Sequence, residues 1–281
     1  MAHDFKSLLI GLLPSDEDAG AVTPAVACGI ALARRFGARA TVHAFVPRVV
    51  APYSAVGGFA SGLVASENAR RRELASAAAA AAAEAATAAG IAHVVDVPDL
   101  PFDELSDRFD QLSRLQDLVV LDAGDDKLAG GGHVIEEALF NSGRPVLVVP
   151  KTGGNAEPRR IAIAWDGSAR SARAVGDALP LLKAARAVSV IVVAGEKDLS
   201  RAASGRDLLA YLALHGVTGE LATIQAVGGD VAEALRRHLV AAKDEMLVMG
   251  AFVHSRFRQA VLGGVTRSLL QSSPVPLFLA H

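Results

Sequence analysis

Residues 247–268, LVMGAFVHSRFRQAVLGGVTRS, decide how this chain is read. The apolar run 246–249 has the length of a buried strand and stops at Gly250. A basic segment holding His254, Arg256 and Arg258 follows, and Gly263-Gly264-Val265-Thr266 then opens a helical pattern. Strand, loop, glycine turn and helix make up the repeating unit of a parallel sheet. Amides that open a helix lack intrahelical acceptors and carry the positive end of its macrodipole, so a glycine pair there lets a phosphate approach. The same pair also serves a turn that binds nothing, because Gly supplies φ > 0.

Working outward, the pattern occurs twice. DLVVLD at 117–122 matches EMLVMG at 245–250, and FKSLLIGLLPS at 5–15 runs parallel to RRIAIAWDGS at 159–168. Gly132-His133-Val134 with 145–149 likewise matches Gly263-Gly264-Val265 with 276–279. A repeat of this length sets the architecture, and the polar stretch KTGGNAEP at 151–158 divides the copies. The expected domains are 1–151 and 159–281, with a linker at 152–158.

In the first copy, strands are expected at 8–12, 41–46, 93–97, 118–121 and 146–149. Helices are expected at 21–36, 67–89, 102–115 and 134–141. In the second, strands fall at 161–165, 189–193, 221–226, 246–249 and 277–280, with helices at 171–184, 206–215, 230–242 and 265–272. Short continuous apolar strands alternating with helices imply parallel sheets covered on both faces. The fold class expected is therefore α/β, two tandem five-stranded doubly wound parallel-sheet domains. In such a sheet a cleft opens beyond the carboxyl ends of the strands where their order reverses. The loops after the first and fourth strands border it, which brings Asp166-Gly167-Ser168 and the 250–263 segment to one crevice.

Gly250, Gly263, Gly264, Val265 and Thr266, followed by 274–279 (PVPLFL), resemble the C-terminal signature of the universal stress protein family. The resemblance implies an adenine nucleotide alpha hydrolase-like, Rossmann-like fold, a role in stress resistance without catalysis, and ATP with magnesium as a possible ligand. It places Asp166 on the nucleoside, backbone near Ala194 on adenine, and the turn at Gly263 and Gly264 on phosphate. It also implies dimers joined through the fifth strand, as a homodimer or as an internal pseudo-dimer. Two signature positions depart: Val253 stands at the second glycine and Gly264 at the hydroxyl. A nucleotide-independent scaffold is the alternative, and slow ATP cleavage a third reading.

Each candidate has a plainer role. Asp-Gly-Ser is also a common turn and N-cap sequence. His254 and Arg256 could line a phosphate path, while Arg258 is read as solvated. Ser255 or Thr266 could replace the missing hydroxyl, or Thr266 could satisfy a backbone amide. Trp165 is read as core or cleft wall, and Cys28 as a buried inert thiol. In the first copy Leu13 replaces Asp166, and Asp122, Asp125 and Asp126 replace Gly250 and the basic residues, which disfavours an anion there.

Charge and composition exclude other classes. A formal net charge of −2 gives no general attraction to nucleic acid or an anionic membrane. The chain carries no Walker loop, nucleophile elbow or dinucleotide fingerprint. Its eight histidines are scattered, so no metal is expected. One cysteine cannot close an internal disulfide, which fits a cytoplasmic location. Residues 49–66 are uncharged, but Pro52, Gly57, Gly58 and Gly62 break them, and they are read as a loop rather than a membrane span.

Overall fold

The computed structural model describes residues 4–14, 20–50, 58–124, 131–155, 157–194, 203–251 and 262–281. In the first half the elements are β1 (Ser7–Leu12), α1 (Pro24–Phe36), β2 (Arg39–Ala44), α2 (Gly58–Ala88), β3 (His93–Asp96), α3 (Phe102–Arg114), β4 (Leu118–Asp122), α4 (Gly131–Asn141) and β5 (Val146–Val149). The second half has β6 (Arg160–Ala164), α5 (Ala169–Ala184), β7 (Ala187–Ala194), α6 (Gly205–Leu214), β8 (Gly219–Gln225), α7 (Val231–Ala242), β9 (Met246–Gly250), α8 (Gly264–Ser272) and β10 (Leu277–Ala280). Among the described residues no helix is long and apolar enough to cross a membrane.

Among the described residues the strands form one 10-stranded sheet ordered β3-β2-β1-β4-β5-β10-β9-β6-β7-β8. Within each half the pairing is parallel and the order is the same, with the first strand between the second and the fourth. The halves meet where β10 pairs β5 antiparallel, Leu277 opposite Val148 and Leu279 opposite Val146. Of the two fifth-strand arrangements expected, the chain uses the internal one. Both fifth strands are thereby interior, and the sheet edges are β3 and β8. A homodimer joined through free fifth strands is closed to this chain, because those backbone groups are already bonded to each other.

Alternation along the strands divides the core between two faces. Leu147, Val149, Phe278 and Ala280 face α1, α2, α5 and α6, and Val146, Val148, Leu277 and Leu279 face α3, α4, α7 and α8. Each cluster contains residues of both halves, so apolar packing crosses the seam on both sides. On α2 the residues Ala75, Ala78, Ala79, Ala82 and Ala86 are buried at helical spacing and let the helix lie close on the sheet. That helix begins at Gly58, where a loop was expected to continue to residue 66. No proline lies between 58 and 66, and alanine and leucine offset its glycines.

A carboxylate before the fourth strand of each half fastens the start of the first. Asp117 Oδ2 accepts the amides of Lys6 and Ser7 at 2.7 and 3.0 Å. Glu245 accepts those of Arg159 and Arg160 in the same way. Across the seam, Arg35 of α1 donates to the Ala184 carbonyl at the end of α5 at 3.2 Å, a cation at the negative end of a helix dipole.

Phe278 is fully buried beside the seam. Phe278→Ala is expected to lower stability by about 3–5 kcal/mol, the range for truncating a buried phenylalanine. A urea unfolding curve shifted by less than about 1 kcal/mol would show that the seam is not a shared core.

Candidate functional site

The crevice of the second half lies beyond the carboxyl ends of β9, β6 and β7, with β6 between the other two. Asp166-Gly167-Ser168 leaves β6 as a tight turn. Asp166 Oδ1 accepts the Ser168 amide at 3.0 Å, and Gly167 takes φ +69, which favours glycine. Ser168 then caps α5, its hydroxyl accepting the Ser171 amide at 3.2 Å. The plainer reading of this tripeptide thus describes its geometry, and half-buried Asp166 stays at the crevice. Trp165 is 8% exposed and donates from Nε1 to the Ala203 carbonyl at 2.8 Å, so it is core wall that ties β6 to the start of α6. Ala194 ends β7, half-buried, paired with Gln225 of β8.

Gly250 ends β9, and its lack of a side chain has a different cause from ligand clearance. A Cβ here would stand 2.6 Å from the Ser171 nitrogen and 2.8 Å from the Arg170 carbonyl carbon. The first turn of α5 therefore rests backbone to backbone on the end of β9. The space that a Gly250 side chain would take is occupied by the protein.

At α8 the arrangement is more open. Gly263 is the N-cap with φ −62 and ψ 155, and among the described residues no side chain caps the helix. Gly264 is exposed, with nothing within 4 Å of where its Cβ would be. Val265 is half-buried and packs against the core, whereas Thr266 is fully buried. The Thr266 side chain therefore points into protein and does not stand in for the hydroxyl that Gly264 lacks. His254, with Val253, Ser255, Arg256 and Arg258, lies outside the described residues, as do Asp125 and Asp126.

In the first half the fourth strand ends in Asp122 where the second ends in Gly250. Asp122 Oδ1 accepts the Ala25 amide of α1 at 2.8 Å. A carboxylate from the chain itself thus sits on the helix end that in the second half meets Gly250 directly. Leu13 is half-buried in the place of Asp166. Cys28 is buried, and burial, with the charge of Asp122 adding to it, pushes its thiol up to about 12, so it stays protonated and inert. Among the described residues no group of three or more His, Cys, Asp or Glu could hold a metal.

The sequence reading missed a polar cluster in this half. His43 is fully buried, and its Nδ1 lies 2.7 Å from Asp96 Oδ2, which also accepts Arg108 Nε at 2.8 Å. His43 Nε2 has no hydrogen-bond partner, and the ring packs 5.8 Å from Phe109. Register brings the pair together, since His43 stands directly opposite Asp96 in the β2–β3 ladder. The sequence signal was only a histidine inside an apolar strand, with nothing to name its neighbour. Burial pushes the His43 imidazole below its ordinary value, against the pull of Asp96. Burial opposes ionisation of Asp96, but Arg108 and His43 hold its carboxyl below the usual range.

The family model for the universal stress protein family matches residues 157–281. Among solved structures, a universal stress protein from Archaeoglobus fulgidus DSM 4304 has a similar fold. Its TM-score is 0.68 at 16% identity, over 98% of this chain and 97% of that one. A functionally unknown protein from Pseudomonas aeruginosa PAO1 is similar at a TM-score of 0.57 and 13% identity, over 98% of this chain and 92% of the other. The cytoplasmic domain of a prokaryotic cation chloride cotransporter is similar at 0.52 and 12%, over 98% and 94%. At these identities the likeness is one of fold. No curated protein matches the sequence.

Two consequences can be measured. Gly250→Ala is expected to destabilise the chain by about 1–3 kcal/mol, because the backbone of α5 must move aside; an unchanged melting temperature would contradict that contact. For His43 the folded value is lowered, so as pH falls through about 6.5 the unfolded chain takes up the proton first and stability is lost. Relative to His43→Gln, the native chain should therefore lose stability between about pH 7.5 and pH 5. Parallel stability curves for the two would dismiss this account.

Proposed function

Because residues 157–281 match the model of the universal stress protein family, we propose that the chain is a cytoplasmic stress protein of that kind, acting by binding rather than by turnover. One adenine nucleotide is bound in the second half. Its phosphates lie on the amides that open α8 at Gly263, Gly264 and Val265, with magnesium sharing their charge, its ribose near Asp166, and its base against backbone at Ala194. The observation that carries this reading is the start of α8, where among the described residues no side chain caps the helix and nothing stands within 4 Å of where a Gly264 Cβ would be. A helix end of that kind favours an anion through its amides and its dipole. Gly250 supports the site indirectly, by seating α5 against β9. Occupancy of the crevice would set the conformation or partner choice of a non-catalytic protein, and the absence of recognisable catalytic motifs agrees with that.

A second reading, a nucleotide-independent scaffold, is favoured by the seam. The two halves already make the pairing that separate family members make as dimers, and Thr266 and the space at Gly250 are taken up by the core.

Calorimetric titration of the full chain with magnesium and ATP separates the two. A single saturable site is expected, and Gly264→Glu should weaken it at least about tenfold by placing a carboxylate against the phosphates. Since an acidic residue in the first turn suits the helix dipole, the same variant should keep its melting temperature. No heat up to millimolar ATP would leave the scaffold reading standing.

A further inference from the structure

The carboxyl ends of β2 and β3 hold a second polar hollow, on the α2 face of the first half and away from α8. It encloses about 110 Å³, and Arg48, Arg71 and Arg72 stand around it with Asn68, Ser76 and a single carboxylate, Asp99. Three guanidinium charges against one carboxylate leave the lining at a formal +2.

The walls are built by side chains that tie the loop after β2 to α2. Asn68 closes a two-point clamp on Val49, its Oδ1 accepting the amide at 2.8 Å and its Nδ2 donating to the carbonyl at 3.0 Å. Arg71 donates from Nη1 to the Pro47 carbonyl at 3.1 Å and from Nε to Glu67 at 2.8 Å. Arg72 reaches Asp99 through one bond of 3.2 Å, which leaves donors of its fork unused. The Arg48 amide donates to the Leu100 carbonyl at 2.8 Å, which fixes its backbone against the segment after β3, while among the described residues no ion pair or hydrogen bond engages its guanidinium. Glu67 pairs with Arg70 and Arg71 outside the hollow, and their hydrogen bonds hold its carboxyl down at about 2.

We propose that this hollow binds a phosphate group, with Arg48 as its principal ligand and Arg71 and Arg72 as flanking donors. Guanidinium forks match phosphate oxygens in geometry and charge. The hollow has room for several water-sized groups and so admits a tetrahedral oxyanion. The site is independent of the nucleotide crevice: it lies on the other half, takes no helix N-terminus, and uses none of the same residues.

The test is titration of the full chain with inorganic phosphate at low ionic strength, followed by a phosphate monoester that carries no base, such as a sugar phosphate. Saturable binding is expected, weakened at least about tenfold by Arg48→Ala and unaffected by Gly264→Glu, which perturbs only the second half. Arg48 is exposed, so the variant should fold with an unchanged melting temperature. Tighter binding of the monoester would identify a phosphorylated metabolite as the source, and equal affinity would identify free phosphate. Absence of saturation up to about 10 mM phosphate, or an affinity that Arg48→Ala leaves unchanged, would overturn the proposal.

Discussion

The antiparallel pairing of β5 with β10 is the constraint on which the rest of this molecule depends. Each half alone would end in a short, fully apolar strand with one unbonded edge, and an edge of that kind invites pairing. Joining the two satisfies both at once and makes one sheet of ten strands. Because alternate residues of each strand face opposite sides, the seam contributes to both cores: Leu147 and Phe278 to one, Val148 and Leu277 to the other. The cores are therefore continuous, and the geometry of one half is coupled through apolar contact to that of the other.

With the halves joined in this way, small differences at the ends of equivalent strands separate their chemistry. The fourth strand of the first half ends in Asp122, which bonds the start of α1 and adds charge beside the buried Cys28. In the second half Gly250 lets α5 settle directly on the strand, and the start of α8 is left without a side-chain cap. A carboxylate from the fourth strand on α1, and a serine cap with a bare glycine contact on α5, are two answers to the same surplus of amide donors. The first half in turn gathers its own polar groups elsewhere, in the His43, Asp96 and Arg108 cluster and in the arginines around Arg48.

Much of this was legible in the residues. Short apolar strands alternating with helices gave the parallel order, and matched stretches such as 117–122 and 245–250 gave two copies of it. Burial on both faces leaves a strand no polar positions, which makes that signal strong. The Asp166 turn and the Ser168 cap were equally readable, because their hydrogen bonds close within a few residues.

What depended on distance along the chain did not show. The antiparallel seam, the contact of Gly250 with α5, the opposition of His43 and Asp96 and the loop clamp by Asn68 each join segments that local pattern treats separately. The sequence by itself determined which segments are strands and helices, since periodicity and turn chemistry act between near neighbours. Only the tertiary structure decided which strand edges are free, which glycine is spent on packing and which charges meet, since those follow from register and helix placement over a hundred residues or more.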